Sequence, residues 1–203
     1  SSRLAGMGAR GVHAYSVINM FAAEVPVAAL AALEADAAVD AVLPIEWHQG
    51  KLDVSVPAMG TQAFWNRGWT GSGQSVAVLD SGVRTAHPDF SGVDLVSRVF
   101  GSYASRSDRF GDDAQSAEDM SGHGSHVAGI VAGQGTSSYQ DYRGVARGVA
   151  GLYNLKIGFV QKQIQGRCSA GASSNTADMI LSIAWALENT PVTIFNYSYG
   201  GEL

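Results

Sequence analysis

The run Ser75–Asp80, "SVAVLD", places the strongest constraint on the fold, because it is nearly all apolar and ends in an aspartate. A strand that is covered on both faces has such a continuous apolar run, whereas a strand with one solvated face alternates apolar and polar residues. Gly82 follows shortly after and allows a tight turn there. The segment therefore predicts a central strand of an α/β sheet, with a carboxylate at its carboxyl end.

Further strand and helix signals alternate along the chain. "VAGLYNLKIG" at Val149–Gly158 predicts a second strand, and "VTIFNYSYGG" from Val192 predicts a third. The clearest helix is Asn175–Asn189, which Asn175 can cap with Asp178 three positions on. Its predicted apolar stripe consists of Ile180, Ile183, Ala184 and Leu187. This order predicts a doubly wound, mostly parallel sheet with helices on both faces and a site at the carboxyl ends of the strands.

The amino-terminal residues predict a separate small unit. We expect one extended segment that begins at His13 and a second that ends at Trp47. Between them, an alanine-rich helix should begin at Pro26. Because so small a unit buries little apolar surface alone, we expect it to pack on something else. The polar, turn-rich stretch that follows is interpreted as a linker. The expected division is therefore a first domain at 1–50, a linker at 51–62 and a second domain at 63–203.

Composition excludes several classes of function. The 203 residues are 46% hydrophobic and 15% charged, which suits a well-packed interior. A net charge of −5 gives no reason to expect nucleic acid or an anionic membrane as a partner, and no stretch approaches the length of a transmembrane helix. Cys168 is the single cysteine, so an intrachain disulfide is excluded. The chain has no initiator methionine and no signal-peptide pattern, and we expect it to be a piece of a longer protein.

Asp80 and His123 carry the candidate chemistry. His123 lies between two glycines in "SGHGSHVAG" at Ser121–Gly129, at the predicted start of a helix of small residues. A neutral imidazole can take the proton of a serine hydroxyl, and a buried carboxylate can hold that imidazole in the right tautomer. Aspartate before histidine is one of the chain orders in which the Asp–His–Ser triad occurs. We therefore predict that Asp80 orients and that His123 is the general base.

Both segments resemble the motifs V-A-V-[IL]-D-[ST]-G and H-G-[ST]-H-V-A-G of the subtilisin-like (subtilase) serine peptidases. The resemblance continues through "GVARGVAGLYNLKIG", where Arg147 replaces the usual proline, and through "SIAWALEN". It also covers "VTIFNYSYGG", where Thr193 and Tyr197 replace the usual aspartate and methionine. The family's third motif, G-T-S-[MLA]-A around the nucleophilic serine, does not occur in the 203 residues. The resemblance implies a serine endopeptidase precursor, of which this chain is a fragment that we expect to be inactive alone.

The resemblance also implies the substrate and an inhibitor. A polypeptide substrate would lie extended between a stretch near Ala172–Ser174 and a second stretch, whose residues are Ser198, Tyr199 and Gly200. The amino-terminal unit is similar in pattern and position to the carboxyl half of the ferredoxin-like propeptide of subtilases. That similarity implies intramolecular inhibition by the protein's own propeptide, and secretion. We expect its tail, about Gln49–Val56, to run beside the second stretch, with self-cleavage between Gln49 and Pro57.

Two other functions and one metal remain open. A pseudopeptidase or inhibitor-like binding protein would also lack the serine motif. A metal-dependent hydrolase would use His123, His126 and Asp80, although this H-x-x-H lacks the i, i+4 spacing and the glutamate of helical zinc peptidases. No cofactor is expected for the peptidase chemistry. Asp89, in "HPDF", matches a position that binds structural calcium in some subtilases, but the loop after Gly133 differs in length and composition.

Overall fold

The structure is a computed structural model that describes residues 2–15, 18–45, 47–50, 59–102, 111–160 and 171–200. It divides into two compact units, Ser1–Glu46 and Trp47–Leu203. None of the helices in these described ranges is long and apolar enough to cross a bilayer. The expectations for Cys168 and for the stretch 51–58 fall outside the described residues.

The first unit contains a β-hairpin and two short helices. Its elements are α1 (Ser2–Gly6), β1 (Arg10–Ala14), β2 (Phe21–Glu24) and α2 (Val27–Glu34). The two strands are antiparallel, with Ala14 opposite Phe21, so the extended segment expected from His13 is a hairpin. The predicted strand up to Trp47 is wrong for residues 39–45, because neither β1 nor β2 pairs with them. The helix that follows Pro26 is confirmed.

The second unit alternates strands and helices, as the sequence predicts. Along the chain it consists of β3 (Trp47–Gly50), α3 (Thr61–Trp65), β4 (Ser75–Asp80), β5 (Leu95–Val99), α4 (His123–Ala132), β6 (Gly151–Lys156), β7 (Phe159–Val160), β8 (Ala172–Asn175), α5 (Thr176–Asn189), β9 (Ile194–Tyr197) and β10 (Tyr199–Gly200). Short 3-10 helices lie at Pro88–Phe90, Gly111–Gln115 and Thr136–Ser138.

The main sheet has the order β5-β6-β4-β9, and every pair in it is parallel. Strand β4 is buried along its whole length and pairs with β6 from Ser75 opposite Gly151 to Asp80 opposite Lys156. The predicted central strand and the α/β, mostly parallel fold class are therefore confirmed. A second, antiparallel sheet has the order β10-β3-β8-β7.

Helices cover both faces of the main sheet. Ala77 and Leu79 of β4 lie in the apolar cluster against which α5 packs. Val78, between them, points the other way into a cluster with Val127 and Ala128 of α4. Successive side chains of a strand point to opposite faces, so a strand between two helical layers must be apolar throughout. This arrangement places the carboxyl end of β4 beside the first turn of α4.

Helix α5 has the predicted cap and part of the predicted apolar stripe. The Asn175 side chain accepts a hydrogen bond from the Asp178 amide at 2.9 Å, as expected. The predicted apolar stripe is wrong at Leu187, which is 53% exposed. Ala184 of that stripe is buried and Ile183 packs against the core cluster, as predicted. The fully buried positions of the helix also include Ser182 and Ala186. Small side chains let the helix approach the sheet closely, and a search for large apolar residues misses them.

Candidate active site

Asp80 ends β4 as a fully buried carboxylate. Its Oδ1 accepts a hydrogen bond from the Ser81 amide at 2.7 Å and lies 2.7 Å from Nδ1 of His123. Burial raises the pKa of Asp80, while the hydrogen bonds from His123 and Ser81 oppose that rise. The carboxylate is thus held in a place where its charge is costly and is directed at the imidazole.

His123 is the first residue of α4, with 16% of its side chain exposed. The preceding Gly122 has a φ of +88°, a left-handed conformation that favours glycine and turns the chain into the helix. The predicted Asp80–His123 contact and the predicted helix start are confirmed. With its proton on Nδ1, the ring donates to Asp80, and Nε2 then holds the lone pair that a general base needs.

Two glycines allow the segments around the pair to approach each other. A Cβ on Gly124 would overlap the carbonyl oxygen of Gly82 and would lie 3.0 Å from Oδ1 of Asp80. Gly82 itself has a φ of +109°, and a Cβ there would lie 2.6 Å from the carbonyl oxygen of Ala117. Side chains at these positions would push the first turn of α4 away from the end of β4.

Asp119 belongs to the same site, and the sequence analysis missed it. Its Oδ1 accepts hydrogen bonds from the Ser81 hydroxyl at 2.8 Å and from the Ser121 and Gly122 amides at 2.9 Å. Its Oδ2 accepts from the Ser125 amide at 2.8 Å. Burial acts to raise the pKa of Asp119, but hydrogen bonding from the side chain and amide of Ser125, the Ser81 hydroxyl and the Gly122 amide outweighs it and holds the pKa below its ordinary value. An aspartate followed by "MSG" is a typical turn former, which is the signal that could have indicated it.

Near the pair, an extended segment of the chain lies between two strands, β8 and β10, and we call the space between these two strands the cleft. Strand β3 lies between β8 and β10 and is antiparallel to both. Gly50 is opposite Tyr199, and Gln49 is opposite both Gly200 and Ser173. The two walls implied by the resemblance therefore face each other across an extended strand, and the expected position of Gln49 and Gly50 beside the second wall is confirmed. The remainder of the expected tail, 51–56, lies outside the described residues.

The residues predicted to bind substrate differ in how they contribute. The backbones of Tyr199 and Gly200 pair with β3, whereas Ser198 lies between β9 and β10 and donates its hydroxyl proton to Oδ1 of Asn196 at 2.8 Å. The Tyr199 side chain is only 8% exposed, and its ring stacks on Tyr197 with 5.7 Å between the ring centroids. Burial and the negative charge of Asp80 raise the pKa of Tyr199.

The metal expectations concern His126 and Asp89. His126 is exposed, and no cluster of three or more His, Cys, Asp and Glu side chains occurs in the part of the chain that the structure describes. Asp89 accepts a hydrogen bond from the Ser137 amide on its Oδ1 at 2.7 Å, and its carbonyl oxygen accepts one from the Gln134 amide at 2.9 Å. These bonds connect Asp89 to the loop after α4.

Comparison with known proteins agrees with this geometry. The model of the subtilase family matches residues 71–202. The chain is 31% identical to the minor extracellular protease Vpr of Bacillus subtilis over 80% of this chain and 21% of that protein. It is 33% identical to the serine protease AprX of the same organism over 66% of this chain and 26% of that protein. It is 30% identical to subtilisin E, also of that organism, over 75% of this chain and 32% of that protein. The chain thus spans about a fifth to a third of these relatives. Because the family match covers most of the 203 residues and includes Asp80 and His123, the chain belongs to the subtilase family of subtilisin-like serine peptidases.

Proposed function

We propose that these residues are part of a serine endopeptidase that hydrolyses peptide bonds through an Asp–His–Ser triad. The observation that carries the proposal is the 2.7 Å contact between Asp80 and His123 at the carboxyl end of β4, beside a cleft that holds an extended strand. Asp80 holds the imidazole in the tautomer with its proton on Nδ1 and stabilises the imidazolium that forms. His123 takes the proton of the attacking serine and returns it to the leaving amine.

The nucleophile of this proposal belongs to a G-T-S-[MLA]-A segment, which the 203 residues do not contain. Without the serine and the group that stabilises the oxyanion, only a base and a binding cleft remain. We therefore expect the 203 residues alone to show no turnover. The proposed steps need no cofactor, because both proton transfers run through His123.

The proposed substrate is an extended polypeptide. Strands β8 and β10 present main-chain amides and carbonyls to whatever lies between them, as they do to β3. Main-chain pairing of this kind selects an extended conformation and leaves sequence preference to the side-chain pockets.

We further propose that β3 is the tail of an inhibitory propeptide that occupies the place of the substrate. At the start of β3, Trp47 pairs with Asn175 of β8. At its end, Gly50 pairs with Tyr199 of β10. The carboxyl end of β3 is thus at the residue whose ring contacts His123. This direction supports self-cleavage between Gln49 and Pro57 and a division into a propeptide at 1–50, a linker at 51–62 and a peptidase domain at 63–203. Export from the cell, as the name of the relative Vpr states for that protein, is part of this proposal.

The test is to express the complete reading frame that contains these residues and to measure hydrolysis of a fluorescent casein. We expect hydrolysis and stoichiometric labelling by a fluorophosphonate, both lost in Asp80→Asn and His123→Ala. His126→Ala is the matched control, because this exposed histidine lies on the same helix, and it should keep full activity. Activity lost in His126→Ala and on adding a chelator would favour the metal-dependent hydrolase. A complete frame without a serine motif, and without labelling, would favour the pseudopeptidase.

Sequencing the amino terminus of the mature protein tests the propeptide. We expect a new terminus between Gln49 and Pro57. A start upstream of Val39 would cut through the first unit and would overturn the proposed boundary. The 203-residue chain should remain unlabelled by the fluorophosphonate, and labelling of Ser173 or Ser174 would contradict the assigned nucleophile.

A further inference from the structure

Asp119 connects the strand end that carries Asp80 to the helix turn that carries His123. The Ser81 hydroxyl, next to Asp80 in the chain, donates to Asp119 and accepts a hydrogen bond from the Gly124 amide at 2.9 Å. The amides of Gly122 and Ser125, on either side of His123, donate to the same carboxylate. The backbone around His123 is therefore fixed relative to β4 by one side chain that touches both.

The carboxylate of Asp119 replaces a cap that the sequence does not supply. The first amides of a helix have no partner within the helix, and a side chain at the N-cap position usually accepts one of them. The N-cap residue of α4 is Gly122, which has no side chain. Asp119, three residues earlier, accepts one of them, the Ser125 amide, while the Ser81 hydroxyl accepts the Gly124 amide. The negative charge of Asp119 also suits the positive end of the helix dipole.

The segment that carries Asp119 is itself anchored to the main sheet. Lys156, fully buried at the end of β6, donates from Nζ to the carbonyl oxygen of Glu118 at 2.6 Å and forms an ion pair with Asp113. Asn154, also on β6, donates to the carbonyl oxygen of Ala117 at 3.0 Å. The segment that carries Asp119 is thus bonded to strand β6 rather than forming a free loop.

We propose that Asp119 is a positioning residue, which holds His123 in line with Asp80 through the first turn of α4 and through Ser81. Its meaning for catalysis rests on the proposed peptidase function. Asp119 acts through the backbone on both sides of His123. A shift of that backbone of a fraction of an ångström is enough to lengthen the 2.7 Å contact between Nδ1 and Oδ1.

The proton on Nδ1 of His123 reports this contact directly. In the 15N-labelled 203-residue chain, we expect a far-downfield proton resonance that Asp80→Asn removes or shifts and so assigns. Asp119→Asn keeps the shape of the side chain but can no longer accept all four hydrogen bonds. We expect this variant to shift the resonance upfield or to lose it to solvent exchange, with an unchanged circular dichroism spectrum. Glu118→Gln is the matched control, a neighbouring carboxylate that binds the Thr85 hydroxyl, and should leave the resonance unchanged.

A folded Asp119→Asn chain with the wild-type resonance would overturn the proposal. If Asp119→Asn does not fold, Ser81→Ala provides the test, because it removes only the hydroxyl between β4 and Asp119. An unchanged resonance in Ser81→Ala would also overturn the proposal.

In the complete protein, we expect Asp119→Asn to lower kcat per fluorophosphonate-titrated site with KM little changed. A purely structural role would lower the number of titrated sites and leave kcat per site intact. If the complete wild-type protein is inactive, the peptidase proposal fails, while the resonance still tests Asp119.

Discussion

The ring of Tyr199 lies 5.6 Å from the imidazole ring of His123, centroid to centroid, while the Tyr199 main chain pairs with Gly50. One residue therefore contacts both the strand in the cleft and the candidate base. The hydroxyl of Tyr199 is buried beside Ser81, whose side chain acts to lower the tyrosine pKa, but it makes no hydrogen bond of ordinary geometry with the described residues. The ring, rather than the hydroxyl, is what this position contributes to the packing around His123.

The free energy of unfolding of Tyr199→Phe should therefore equal or exceed that of the wild-type chain, because this variant removes a buried hydroxyl that makes no hydrogen bond of ordinary geometry. Tyr199→Ala should lower the free energy of unfolding by about 3–5 kcal/mol, since it leaves a cavity beside His123. Urea denaturation of the 203-residue chain measures both. A loss above about 1 kcal/mol in Tyr199→Phe would show that the hydroxyl is bonded after all.

Gly124→Ala should destabilise the chain by about 1–3 kcal/mol and weaken the contact between Asp80 and His123, because the new methyl group would overlap the Gly82 carbonyl. Gly129→Ala, on the same helix, is the matched control. Nothing lies within 4 Å of a Cβ at that position, so alanine there should stabilise by about 0.5–1 kcal/mol. Thermal denaturation compares the two, and equal effects would contradict the close approach at Gly124.

Asp80→Asn should raise the free energy of unfolding at pH 8. Burial raises the pKa of Asp80 above its ordinary value, so the folded chain binds a proton more tightly than the unfolded chain does. The wild-type chain therefore loses stability as the pH rises through that raised pKa, and asparagine avoids the loss. The advantage of the variant should shrink as the pH falls toward about 4. Urea denaturation at several pH values measures the difference, and an advantage that grows on acidification would contradict the sign.

Lys156→Met should destabilise the chain by about 3–5 kcal/mol, because it leaves the Asp113 carboxylate without its buried cation. The double variant Lys156→Met with Asp113→Asn should recover most of that loss, since no unpaired charge remains. A double-mutant cycle in urea measures the coupling. Additive losses would mean that the pair contributes little beyond its two separate side chains.

The central strand, the helix start at His123 and the Asn175 cap can be predicted from the sequence because each has a local cause. The two walls of the cleft are instead implied by the resemblance to subtilases. An apolar run without alternation indicates a strand buried on both faces, and β4 has the predicted bounds. The contact between Asp80 and His123 follows from the chain order of known triads. The Asn175 cap is a short-range hydrogen bond between neighbours in sequence.

The features that the sequence did not predict depend on partners distant in the chain. Asp119 is recognisable only when Ser81 and the turn around His123 meet at its oxygens. Leu187 fits a helical stripe but is exposed, because Ala186 rather than Leu187 packs against the sheet. The hairpin of the first unit similarly depends on which strands pair, and composition does not determine pairing.

Strand β4 finds both of its neighbours late in the chain. Val76 pairs with Leu152 on one side and with Ile194 on the other. Contacts between such distant residues form only after long loops close, and proteins rich in them fold slowly. During synthesis β4 therefore emerges as an apolar strand with two open edges, long before residue 194 leaves the ribosome. The apolar sequence that lets β4 be buried on both faces thus makes it an aggregation hazard until both neighbours arrive.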